Sequence, residues 1–243
     1  MRGSAPPVLF LPGFMQRADA WLTVAGAVSE RYPSLVLDFE TWTFEERLAE
    51  IREAAAPGTV LAGYSMGGRL ALQAAVLDPG RYGALVLIGA TAGIDDPEER
   101  LLRAADDKQL ADWIEAQRVE DVVARWEGNP VFASQSPGLV ELQRPGRLAH
   151  DPRELATLLR SAGQGALAPV WDRLGDLRMP ILAIAGEHDE RYAHAAARIA
   201  AAAPAATALL VPGAGHAAHL ERPREVAEAL GQFLDEHFGD RVV

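Results

Sequence analysis

The chain has no cysteine, so it can form no disulfide, thiolate metal site or cysteine nucleophile. That suits a reducing compartment, and a cytoplasmic location is the expectation. No apolar run approaches the roughly 18–20 residues of a membrane-spanning helix. Met1–Pro7 carries one basic residue and no apolar core, and does not read as a signal peptide. Excess positive charge is lacking too. The formal charge of −11 argues against generic binding to nucleic acid or an anionic membrane. It does not argue against a small anionic ligand, because screening lets a local arginine cluster dominate over a few ångströms. No clustered His, Asp and Glu spacing suggests a metal site.

What is present is enough for one sizeable domain: 243 residues, 49% of them hydrophobic. Short apolar runs at Val8–Leu11, Ser34–Leu37, Thr59–Ala62, Ala84–Gly89, Pro180–Gly186 and Ala208–Pro212 read as strands. Helical patterns lie between them, at about 18–31, 44–56, 69–76 and 222–238. The alanine-rich stretch 195–206 has ordinary helix composition. Continuous apolar strands alternating with helices predict an α/β fold with a mostly parallel sheet covered on both faces. Residues 91–170 differ: they are helical in pattern, rich in charge, and carry no strand signal. They are expected to form a helical cap over the C-terminal ends of the strands, with 1–90 and 171–243 as the core.

Gly63-Tyr64-Ser65-Met66-Gly67 has the form Gly-x-Ser-x-Gly between a strand and a helix. Such a sharp turn strains the serine backbone, and flanking glycines remove side chains that would clash. Ser65 is thereby presented near a helix N-terminus. A serine hydroxyl needs an imidazole to take its proton. Of the six histidines, His216 alone follows the last strand in a glycine-rich turn, Gly213-Ala214-Gly215-His216. His219 is expected to pack or cap, and His150, His194 and His237 read as surface or helix residues. The acid is expected after the strand ending at Gly186. Asp189 has the usual offset, with Glu187 as the alternative. Two backbone amides are needed for an oxyanion hole. Met66 N–H and Phe14 N–H are the candidates, since Pro12 cannot donate.

These segments resemble the α/β-hydrolase superfamily over nearly the whole chain. Within it they resemble the family of 2-succinyl-6-hydroxy-2,4-cyclohexadiene-1-carboxylate synthases of menaquinone biosynthesis. The resemblance rests on Gly63–Arg69, with an arginine four residues after the serine, and on Gly13-Phe14 with Trp21 eight residues after Gly13. It also rests on Glu98–Arg103, Trp126–Ala133, Gln143-Arg144, Gly186–Asp189 and Gly215–Pro223. Two segments depart from the family. Pro12-Gly13 stands where its first loop begins His-Gly, and Asp38–Trp42 replaces an Asp-x-x-Gly-His-Gly turn.

The resemblance implies a cofactor-free lyase that eliminates pyruvate from a polycarboxylate, beginning with proton abstraction. It implies carboxylate binding by Arg69, Arg103 and Arg144, a role that suits planar guanidinium groups. Tyr64 and Trp126 are expected to line the pocket. A carboxylic-ester hydrolase with Ser65 as acyl nucleophile uses the same machinery and is the alternative. A receptor or scaffold is a third reading, disfavoured by the intact Ser65, Asp189 and His216.

Overall fold

The computed structural model describes residues 5–241; the first four residues of the Met1–Pro7 segment lie outside them. In chain order the core begins with β1 (Val8–Leu11), α1 (Leu22–Ser29), β2 (Ser34–Val36) and α2 (Phe44–Ala54). It continues through β3 (Val60–Tyr64), α3 (Met66–Leu77) and β4 (Ala84–Ile88). Four helices follow: α4 (Pro97–Glu115), α5 (Val119–Glu127), α6 (Pro137–Leu148) and α7 (Pro152–Ala162). The chain then returns through β5 (Ile181–Gly186), α8 (Glu190–Ala202), β6 (Ala206–Val211), α9 (Ala218–Glu221) and α10 (Pro223–Phe238).

The strands form one sheet in the order β2-β1-β3-β4-β5-β6, every pairing parallel. Alternate side chains of each strand point to opposite faces, and both faces are buried. On one, Leu9, Leu61, Leu85 and Ile181 pack with Ile51 of α2, Leu70 of α3 and Ile199 of α8. On the other, Phe10, Val60, Val86 and Ile184 pack with Val24 of α1 and Val226 and Leu230 of α10. This double covering is why the strands read as unbroken apolar runs rather than alternating ones.

Parallel pairing puts all strand C-termini on one edge. The chain steps outward from β1 to β2, then crosses back to β3 and continues the other way. The loops after β1 and β3 therefore diverge, opening a crevice at the strand ends. Residues 91–170 contain helices and no strand, and sit in the chain between β4 and β5. Three of these helices begin alike. Asp96, Ser136 and Asp151 accept backbone N–H bonds from the first turn, and each is followed by a proline. The cap residue satisfies an orphan amide, and proline gives up an N–H that had no partner.

Candidate active site

Ser65 is the residue between β3 and α3, with φ 49° and ψ −108°. Its N–H donates to Ile88 O and its carbonyl accepts from Arg69 N–H. This left-handed conformation costs a non-glycine residue about 1–3 kcal/mol. The surrounding fold enforces it through close approach. A Cβ on Gly67 would lie 2.2 Å from Leu11 O, and one on Gly63 2.4 Å from Gly67 O. The turn fits beneath the β1 loop only with glycine at both places.

His216 and Asp189 reach Ser65 from the turns after β6 and β5. An ionised carboxylate can only accept, so His216 Nδ1–H donates to Asp189 Oδ2 at 2.7 Å. This leaves Nε2 as an acceptor, 3.2 Å from Ser65 Oγ, whose hydroxyl donates to it. His216 and Asp189 are both nearly excluded from solvent. Glu187, the alternative acid, points outward and accepts Gly213 N–H at 2.8 Å. Phe14 N–H and Met66 N–H have no acceptor among the described residues, and both residues line the same cavity as Ser65.

That cavity has a volume of about 370 Å³. Phe14, Trp126 and Phe132 form an aromatic wall, with ring centroids 5.3 and 5.4 Å apart. Tyr64 packs against the His216 ring, and burial holds its phenol well above the usual range, so it stays protonated. Tyr192, which the sequence reading did not single out, packs against the other side of the site, its centroid 4.5 Å from that of His216.

Four guanidinium groups face this space: Arg69, Arg103, Arg147 and Arg191. Arg69 is buried in α3, donates to Ala162 O at 3.1 Å, and has no partner for its Nε. Burial lowers its pKa, as expected for a cation without a counter-charge. Arg103 pairs with Asp107 and donates to Gln164 Oε1, which Arg191 also reaches. Arg147 donates to Gln143 Oε1 and Glu127 Oε1. Arg144 does not line the cavity. It is half-exposed and spends its guanidinium on Glu127. The inward arginine of α6 is thus Arg147, three positions on. Among the described residues, no cluster of His, Asp and Glu could hold a metal ion.

Two histidines differ from expectation or refine it. His150 is not at the surface: it is buried against Trp42, centroids 5.9 Å apart, with both ring nitrogens unpartnered. His219 packs, as expected, between Trp21 and Tyr64. Asp38, at the start of the replaced turn, pairs with Arg17 at 2.6 Å and ties the β2 exit to the first loop.

A serine, acid and histidine delivered in that chain order to the C-terminal edge of a parallel sheet define a class, and the family comparison agrees. The profile of the alpha/beta hydrolase family matches residues 8–229, and the chain belongs to that family. Among its relatives is the 2-succinyl-6-hydroxy-2,4-cyclohexadiene-1-carboxylate synthase of Enterobacter sp. (strain 638), 31% identical, with 94% of this chain and 92% of that protein aligned. A Bacillus subtilis (strain 168) protein, to which the same activity is provisionally given, is 37% identical. That match spans 72% of this chain and 65% of the relative's length. The structure of MenH from S. aureus superposes with a TM-score of 0.88 at 26% identity, covering 96% of this chain and 95% of that one. An esterase from Thermogutta terrifontis, at 20% identity and a TM-score of 0.79, shares the fold.

Among the described residues, no helix is long and apolar enough to cross a membrane.

Proposed function

We propose that this chain is a lyase of the 2-succinyl-6-hydroxy-2,4-cyclohexadiene-1-carboxylate synthase type, eliminating pyruvate from a polycarboxylate precursor. The observation that carries this reading is the set of guanidinium groups in the Ser65 cavity. A neutral-ester pocket has no use for Arg69, Arg103, Arg147 and Arg191 together. All four donate to neutral oxygens, of Ala162, Gln164 and Gln143. Arg103 and Arg147 also pair with Asp107 and Glu127, while Arg69 and Arg191 form no ion pair with a carboxylate among the described residues and keep their charge for a ligand. The relatives named for this activity support the same reading.

In this reading Ser65, its proton drawn by His216 Nε2, acts as the base. It takes a proton from a carbon beside a carbonyl group of the substrate. Charge moves onto that carbonyl oxygen, which Phe14 N–H and Met66 N–H stabilise. The carbon–oxygen bond to the leaving group then breaks, and the departing enolate takes a proton to become pyruvate. Asp189 fixes the imidazole tautomer and stabilises the imidazolium.

The test is to assay purified protein with the menaquinone precursor and with short-chain p-nitrophenyl esters. Pyruvate release without ester cleavage is the expected result. Ester cleavage without pyruvate release would make the chain an esterase instead, with Ser65 as an acyl nucleophile.

A further inference from the structure

The first loop lacks a histidine before its glycine, and the structure contains a different device for holding it. We propose that Gln16 is a positioning residue that fixes the Phe14 amide against Ser65, with His219 as its seat. This rests on the reading of Ser65 and Phe14 given above.

The device is built on the turn Gly13–Gln16. Gln16 N–H donates to Gly13 O at 3.2 Å, closing the turn. Met15, inside it, has φ +57° although it is neither glycine nor exposed. A non-glycine residue in this region is strained and persists only where its surroundings dictate it. The second clasp is the Gln16 side chain, whose Oε1 accepts Gly13 N–H at 3.1 Å. Gln16 is therefore bonded to Gly13 at both the donor and the acceptor, and Phe14 lies between the two ends of that clamp.

The amide of Gln16 can face only one way. With Oε1 on Gly13 N–H, its NH₂ group points to His219 Nε2, 3.4 Å away. Flipped, it would set donor against donor at Gly13. His219 Nε2 must then be the bare, accepting nitrogen, and the proton sits on Nδ1, which has no partner. The ring is fully buried between Trp21 and Tyr64, and Tyr64 is the residue before Ser65. Burial, with His216 nearby, pushes the His219 pKa down to about 3, so the accepting form persists at working pH. The clamp thus links the β1 loop to the elbow strand at the cavity wall, where Gln16 itself is exposed to the site.

The test uses Gln16→Met, which keeps length and removes both side-chain bonds. The first readout is the rate at which a neutral fluorophosphonate labels Ser65. There Ser65 Oγ bonds to phosphorus, fluoride leaves, His216 takes the proton, and the phosphoryl oxygen occupies the Phe14–Met66 site. Gln16→Met is expected to slow labelling roughly ten- to a hundred-fold, the usual cost of a misplaced reacting geometry. In pyruvate release, kcat is expected to fall by a like factor with KM within about two-fold. The second readout is nitrogen-15 NMR of the His219 ring. The wild type is expected to show Nδ1–H. Gln16→Glu, whose second carboxylate oxygen can only accept, is expected to move the proton to Nε2.

Labelling of Gln16→Met within about two-fold of wild type would overturn the inference alone. So would an Nε2–H ring in the wild type, a measurement that needs no variant to fold. A wild type inert to the fluorophosphonate would overturn the reading of Ser65, and this inference with it.

Discussion

On the floor of the cavity, backbone sets each reactive group; on the roof, side chains hold one another. Ser65, Asp189 and His216 follow β3, β5 and β6 of one parallel sheet, and their spacing follows from sheet register and from glycines that admit close approach. The arginines of the roof are oriented by Gln143, Gln164, Asp107 and Glu127, each itself a side chain with rotamers to lose. A floor of this kind tolerates little and changes little. A roof of this kind can be re-aimed by one substitution, so substrate choice can drift while the chemistry below stays intact.

Breaking the floor should have the largest effect. Ser65→Ala and His216→Ala are each expected to cut turnover at least about a thousand-fold. Because the residues act as a unit, the double variant should be within about ten-fold of either single. Multiplicative losses in steady-state kinetics would show that the two act separately.

The seam between floor and roof is next. His150 enters from the α6–α7 junction and faces Trp42, Arg17, Arg47 and Asp38. Burial first, then the two arginines, pushes its pKa down from 6.5 to about 4. The unfolded chain therefore takes up this proton first. The stability His150 contributes is complete above about pH 6.5 and is lost as the pH falls towards 4. At 1.36 kcal/mol per pKa unit, the loss is about 3 kcal/mol. In urea titrations, His150→Gln should flatten the acid limb by that order. His219, shifted in the same sense, keeps its own share in the variant. An unchanged acid limb would place His150 in contact with water.

The roof itself gives a sharper and smaller contrast. A charge-assisted contact is worth about 1.5–3 kcal/mol, so Arg147→Ala should lower kcat/KM for the anionic substrate roughly ten- to a hundred-fold. Arg144→Ala, outside the cavity, should stay within about three-fold, as exposed ion pairs contribute little. Equal losses would mean that both arginines serve only to hold Glu127.

The two regions also differ in how far they could be read before folding. Ser65, Asp189 and His216 carry backbone signatures: a strand, a tight glycine turn, a fixed offset. The sheet was legible for the same reason, since a doubly covered strand must be apolar throughout. The helical phase of α6 was not. Counting from Gln143, which faces the cavity, Arg144 lies about 100° round an α-helix and Arg147 only about 40°. Pairing Gln143 with the residue four on would have selected Arg147, had the inward face been known. Arg191 and Gln164 carried no pattern at all, because their roles depend on α8 and the α7 exit converging. His150 was misread because its burial depends on Trp42, in a loop far off in sequence.

The charge distribution bears on arrival rather than chemistry. A chain of formal charge −11 encloses a cavity facing four guanidinium groups. A polyanion approaching from bulk solvent first meets a repulsive field, and attraction takes over only within about a Debye length, about 8 Å at physiological ionic strength. For a polyanionic ligand the exterior would then work as a kinetic sieve. Moderate salt should speed encounter by damping the outer field before it weakens the inner one, the reverse of the salt dependence of an enzyme that steers its ligand in from afar.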